Sequence, residues 1–265
     1  MNDELPAPSP GVPVIEMQSV AAGAMHDPAQ AVIEDINWTV TAGEYWVVAG
    51  LQGSGKSDFL LMTGGLMPPA AGAYRLLGEP MPIFDEARLA HRLRLGLVFE
   101  TGRLFNHLTV WENVALPLRY HRNLTRADAA TEVQKMLAAT GIEEWAESRP
   151  GALGRNWRTR VGLARALILR PEVLLADNPV AGLDLRHASW WLGFFEQLSK
   201  GHELLGGRPM TLVVTASDLR PWQGRACRFA MVRDRRFRLL GSWDQLQAEN
   251  AELVRELVMT EMSEG

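Results

Sequence analysis

The sequence predicts an α/β fold, a parallel sheet covered by helices, on three observations. A glycine-rich loop, Gly50-Leu51-Gln52-Gly53-Ser54-Gly55-Lys56-Ser57, lies between an apolar β-prone run, Tyr45-Trp46-Val47-Val48-Ala49, and a stretch of helical composition, Asp58-Phe59-Leu60-Leu61-Met62. Two further runs, Val173-Leu174-Leu175-Ala176-Asp177 and residues 210–215, are nearly continuous in apolar side chains, as strands covered on both faces are. The composition, 47% hydrophobic and 22% charged over 265 residues, is that of a globular chain long enough to bury a sizeable core.

Residues 1–13 hold four prolines and little that packs, so a disordered tail is expected there. Residues 14–20 and 31–40 read as strands, the second ending at the Thr41-Ala42-Gly43-Glu44 turn; an antiparallel sheet flanking the strand before the glycine-rich loop follows. After the first helix, Met67-Pro68-Pro69-Ala70-Ala71-Gly72 is a turn, residues 73–78 a short strand, 93–99 another, and 100–103 a loop. From 110 to about 169 the pattern turns helical, with Thr125 as a helix N-cap, Gly141 as its stop and Pro171 terminating a helix over 162–169. Residues 229–240 suit a hairpin turning near Asp234-Arg235-Arg236, and 243–262 a helix. Arg233, Arg235, Arg236 and Arg238 are read as a solvated edge.

The glycine loop fits G-x-x-x-x-G-K-[ST] without a mismatch, and the fit has a physical reason. Glycines let backbone N–H groups approach phosphates without Cβ clashes, and the following helix start adds partial positive charge and open donors. Lys56 is placed to reach the β and γ phosphates of a nucleotide and Ser57 to hold Mg²⁺.

A formal charge of −4 argues against a nucleic-acid binder dominated by phosphate contacts. The single cysteine, Cys227, excludes an internal disulfide, and no histidine pairs with it at zinc spacing. No stretch approaches ~20 apolar residues, and the N-terminus has neither a basic region nor an apolar run, so a chain that neither spans a membrane nor is secreted is expected.

Four blocks carry a resemblance: Gly50 to Ser57; Gly96-Leu97-Val98-Phe99-Glu100 with Leu104 to Val114; Arg160-Val161-Gly162-Leu163-Ala164-Arg165-Ala166-Leu167; and Leu174-Leu175-Ala176-Asp177-Asn178-Pro179-Val180-Ala181-Gly182-Leu183-Asp184. Across residues 14–248 the chain resembles the nucleotide-binding subunit of an ABC transporter. Within that family, Glu112-Asn113-Val114-Ala115-Leu116-Pro117-Leu118 and Gly241-Ser242-Trp243-Asp244-Gln245-Leu246 are most similar to the ATPases of bacterial lipid-trafficking (Mla-type) importers. The resemblance implies a P-loop NTPase fold with a RecA-like parallel core, an antiparallel β subdomain, a helical subdomain over about 101–169, and a C-terminal helical tail over 249–265. It implies ATP and Mg²⁺ as cofactors, with the nucleotide on Gly50, Gly53, Ser54, Gly55, Lys56, Ser57 and Asp58 and the metal on Ser57, Asp177 and Glu100. It also implies a dimer of such subunits beside an integral membrane permease, at the cytoplasmic face of the cell membrane, with no role for nucleic acid.

The departures from the family pattern fall on its chemistry. Asn178 stands where the family has the glutamate that polarises the attacking water. An amide cannot take a proton, and general-base catalysis is worth roughly 10²–10⁴-fold, or about 3–5 kcal/mol of barrier. Glu100 replaces the glutamine that contacts Mg²⁺; a carboxylate can still ligate the ion, and on the far side of it could act as a substitute base. Ser217, by gapless register on Asp218, replaces the histidine that meets the γ-phosphate. The signature L-S-G-G-Q falls at Leu153-Gly154-Arg155-Asn156-Trp157, where Arg155 and Trp157 obstruct a close backbone approach, although Arg155 could itself meet a phosphate. Met25 or His26 occupies the neighbourhood of the adenine-stacking aromatic. Two functions stay open: an ATP-binding transport subunit with weakened or absent hydrolysis, and a catalytically silent relative that uses nucleotide as a structural or regulatory clamp. The run Leu104, Phe105, Leu108, Val110 and Trp111 is either helical core or a groove for a short helix of the membrane partner.

Overall fold

The protein is described by a computed structural model over residues 11–82, 86–225 and 227–249. Strands β1 (Pro13–Ala24), β2 (Asp27–Thr41), β4 (Ala71–Leu76) and β5 (Glu79–Pro80) pair antiparallel. Strands β3 (Tyr45–Ala49), β6 (Leu95–Val98), β7 (Val173–Ala176), β8 (Thr211–Ala216) and β9 (Arg228–Arg233) run parallel. The return strand β10 (Arg236–Gly241) is antiparallel to β9 and touches β2 in parallel register, Arg236 opposite Glu34. Together they make one ten-stranded sheet in the order β5-β4-β1-β2-β10-β9-β3-β8-β7-β6. The antiparallel layer thus continues the parallel sheet through the β10–β2 contact.

The helices are α1 (Lys56–Thr63), α2 (Leu89–Arg92), α3 (Val110–His121), α4 (Arg126–Thr140), α5 (Arg155–Leu167), α6 (Leu185–Lys200) and α7 (Trp243–Glu249). Side chains of the central strands divide between two cores by strand alternation. Val47 and Ala49 of β3, Leu174 and Ala176 of β7, and Leu212 and Val214 of β8 join the core under α3 to α6. Trp46 and Val48, Val173 and Leu175, and Val213 face the other core, with Phe59 and Met62 of α1 and the β1–β2 layer. Burial on both faces is what makes the two apolar runs read without alternation.

Local chemistry sets the helix ends. Thr109 with Glu112 and Thr125 with Asp128 form reciprocal capping boxes at α3 and α4, and α4 stops at Gly141 in the left-handed conformation. Helix α6 is the longest element sequence reading passed over. Its signals were present: Asp184 accepts the His187 amide at 2.9 Å, and Trp191, Leu192, Phe194, Phe195 and Leu198 bury one helical face.

Two expected strand starts move. Pro13, placed in the tail, begins β1, because the Val12 carbonyl accepts the Ala42 amide at 2.9 Å and Pro13 lies opposite Thr41. Strand β2 starts at Asp27 rather than near 31, drawn out by pairing with β1 back to the Ala24–Asp27 turn. The last helix is described from Trp243 to Glu249; its expected continuation to 262, like the tail over 250–265 and residues 1–10, lies outside the described residues.

Candidate phosphate-binding site

Strand β3 delivers the chain to the carboxyl edge of the sheet, where the Gly50 amide donates to Ala216 O at 3.1 Å. A side chain at Gly50 would collide with Ser54 Oγ at 2.6 Å and Val232 O at 2.7 Å, so the loop can turn there only with glycine. Gly55, at φ 94°, then starts α1 with no side chain capping it, which leaves the helix entrance open to an anion.

Lys56 is folded back into this loop. Its Nζ donates to Gly50 O at 2.6 Å and Leu51 O at 2.7 Å, and the residue is only 6% exposed. Burial lowers its pKa to about 8, against the attraction of Asp177 and Glu100, so both carboxylates act on this one cation. Ser57 is exposed on the first turn of α1. Asp58, assigned to phosphate binding, is engaged elsewhere: its Oδ1 accepts the Met25 amide at 2.8 Å and ties the β1–β2 turn to α1. Met25, 58% exposed, and His26 flank that tie.

On the other side of β3, Asp177 follows β7. Its Oδ1 accepts the Thr215 hydroxyl at 2.8 Å, and the same hydroxyl accepts the Asn178 amide at 2.9 Å. Asn178 sits at φ 45°, a left-handed conformation that asparagine tolerates better than most residues. Its side chain closes on Ser217: Nδ2 donates to Ser217 Oγ and Oδ1 accepts the Ser217 amide, both at 3.4 Å. Two of the positions singled out as altered are therefore neighbours, joined by neutral hydrogen bonds.

Glu100 is not free in the site. Arg155 Nη2, from the first turn of α5, donates to its Oε1 at 2.7 Å, and Thr159 Oγ1 donates to its carbonyl at 3.1 Å. The pair takes up the two charges expected to meet metal and phosphate. Trp157 is likewise engaged within the chain, its ring 6.2 Å from Trp145 and 5.7 Å from His187, with Arg160 over it at 4.8 Å. Asn156 is buried, accepting from Trp191 Nε1 at 3.1 Å.

The docking run divides. Val110 and Trp111 are core residues, 0% and 7% exposed, so of the two readings of that run core holds at these positions. Leu104 packs against the same core, while Phe105 is 48% exposed. Asn113 fixes that loop, accepting the Phe105 amide at 2.9 Å and donating to Phe105 O at 3.1 Å and Thr109 O at 2.9 Å. The arginines on β9–β10 are exposed; Arg235 pairs with Glu34 at 2.6 Å.

Mg²⁺ fits the donors present, since the Ser57 hydroxyl and the Asp177 carboxylate are hard oxygen ligands beside the phosphate loop. Among the described residues no three His, Cys, Asp or Glu side chains gather as a metal cage. Sequence reasoning missed Thr215; its one signal was a hydroxyl near the end of a mostly apolar strand.

Comparison with known proteins gives a consistent answer. A family model described as ABC transporter matches residues 33–181. The lipoprotein-releasing system ATP-binding protein LolD of Psychrobacter arcticus is 36% identical over 169 residues, 63% of this chain and 75% of that protein. The macrolide export ATP-binding/permease protein MacB of Azoarcus sp. is 32% identical over 199 residues, 74% of this chain; the chain spans only 30% of MacB. The putrescine transport ATP-binding protein PotG of Escherichia coli is 33% identical over 190 residues, 69% of this chain and 48% of PotG. Among solved structures, cbiO1 from Clostridium perfringens, part of the ABC transporter complex cbiONQ, superposes with a TM-score of 0.71 at 24% identity, covering 92% of this chain and 94% of that one. The ATP-binding cassette MJ0796, in a dimeric post-hydrolysis state with ADP and Pi, superposes with a TM-score of 0.73 at 25% identity, covering 86% and 99%.

Proposed function

Because this chain belongs to the ABC transporter family as one of its ATP-binding domains, we propose that it is the ATP-binding subunit of a membrane transporter with a lipid-related cargo and slow ATP turnover. Two copies pair, and an integral membrane permease seats them at the cytoplasmic face. The Mla-like phrases around Glu112 and Gly241 and the similarity to a lipoprotein-releasing ATPase support the cargo class.

The phosphate loop supplies binding. Lys56, held on the carbonyls of Gly50 and Leu51, exchanges them for phosphate oxygens, which restores a full partner to its charge. Magnesium, when bound with the nucleotide, would neutralise phosphate charge; Ser57 and Asp177 are the residues to hold it, with the carboxylate of Glu100 as a third, one of whose oxygens is taken by Arg155.

The observation that carries slow turnover is the Asn178–Ser217 ring. Both polar atoms of the Asn178 side chain are spent on a neutral partner, so no proton acceptor stands where the family has its base. The same ring favours a second reading, in which bound ATP acts as a long-lived clamp without turnover. Calorimetry of ATP binding to the native chain and to Lys56→Ala tests the nucleotide assignment that both readings need. We expect a clear loss of affinity in Lys56→Ala, because the cation that neutralises the β and γ phosphates is gone; unchanged affinity sinks both.

A further inference from the structure

We infer that Thr215 is a positioning residue of the nucleotide site, whose hydroxyl aims the Asp177 carboxylate at the cation that accompanies the nucleotide. The inference rests on the Mg-nucleotide reading of the site given above. Thr215 is fully buried near the end of β8, opposite Val48 of β3 and one residue beyond the Val214–Ala176 pair that joins β8 to β7. Its neighbours on the strand, Val213, Val214 and Ala216, are apolar and buried. A hydroxyl in that setting requires partners. Both of its partners are site residues, Asp177 at 2.8 Å and the Asn178 amide at 2.9 Å.

The direction of the bonds follows from proton counting. An amide N–H can only donate, so the Thr215 oxygen accepts from Asn178 and its single proton goes to Asp177 Oδ1. That bond occupies one carboxylate oxygen and fixes the plane in which the other is presented. The same hydroxyl holds the peptide of Asn178 in its left-handed turn. One buried group thus holds both the acid retained from the family pattern and the backbone of Asn178, the residue that departs from it. Partners that orient a metal ligand in this way are typically worth roughly 10–100-fold in metal affinity.

The test is ATP binding to the full chain by calorimetry, in Mg²⁺ and again in EDTA, for wild type, Thr215→Ser and Thr215→Val. Serine keeps the hydroxyl; valine keeps the branched shape that suits a strand and loses the bond. We expect wild type and Thr215→Ser to gain affinity from Mg²⁺. Thr215→Val should forfeit about 10–100-fold of that gain while its Mg²⁺-free affinity stays unchanged. A valine variant with the full Mg²⁺ gain, or one weakened equally in both conditions, overturns the role. Where Thr215→Val does not fold, Thr215→Cys, a much weaker donor, takes its place, and a full Mg²⁺ gain in that variant has the same meaning. Wild type that binds ATP without any Mg²⁺ gain removes this role and leaves the nucleotide site standing. Wild type that binds no ATP overturns the nucleotide reading and this role with it.

Discussion

Lys56 carries a charge into a place that disfavours it. Burial holds its pKa down to about 8, below the ordinary lysine value, while Asp177 and Glu100 pull the other way without cancelling the effect. Between pH 8 and the ordinary lysine range the unfolded chain therefore binds more protons than the native one, so stability of the empty protein rises with pH through that window. Phosphate reverses the balance, because an anion at Nζ restores the charged form. ATP binding is expected to take up a proton near pH 8–9, read as a dependence of the calorimetric enthalpy on the ionisation enthalpy of the buffer. Binding with no proton uptake across that range would show that the lysine stays charged in the empty loop. The loop itself was legible in the sequence, because the eight residues that build it are contiguous. Asp58, Glu100 and Asp177 were legible only as types. What each does depends on a partner 33, 55 or 38 residues away, Met25, Arg155 or Thr215, and no local spacing encodes such a pairing.

Among the elements, strands and helices were read well where the local signal and the tertiary demand agreed. The capped start at Thr125 and the stop at Gly141 are such cases, since a capping box and a left-handed glycine are decided within one turn of helix. Strand ends were read poorly, because β1 and β2 extend each other by pairing past the point where side-chain alternation ends. The run after Glu100 shows the same limit. Val110 and Trp111 are as apolar as Phe105, yet the capping box at Thr109 starts α3 there and turns them into the core, while Asn113 holds the preceding loop outward. Phe105 is the residue of that run left exposed, so it is the one that can meet a partner helix. Phe105→Glu is expected to abolish co-purification with the cognate permease and to leave the melting temperature of the isolated chain unchanged. Retained co-purification would remove this loop from the docking surface.

At the scale of the whole molecule the site draws on three bodies: the carboxyl edge of the parallel sheet, the Glu100 loop, and α5 of the helical layer. The Glu100–Arg155 pair joins the last two within one chain. Both side chains are 41% exposed, so the pair is weak enough to open, in the range of 0–1 kcal/mol typical of surface ion pairs. While it is closed, one oxygen of Glu100 accepts a charged hydrogen bond, and Arg155 is withheld from any phosphate. Two sources of residual turnover are then open to test. If Asn178 limits the reaction, Asn178→Glu supplies a carboxylate where the Ser217 amide and hydroxyl can orient it, and phosphate release with the membrane partner present should rise, by at most roughly 10²–10⁴-fold. Glu100→Gln should then leave the slow native rate unchanged. Were Glu100 the substitute base instead, native turnover would be robust and would collapse in Glu100→Gln. Robust native turnover indifferent to Glu100→Gln would defeat both accounts.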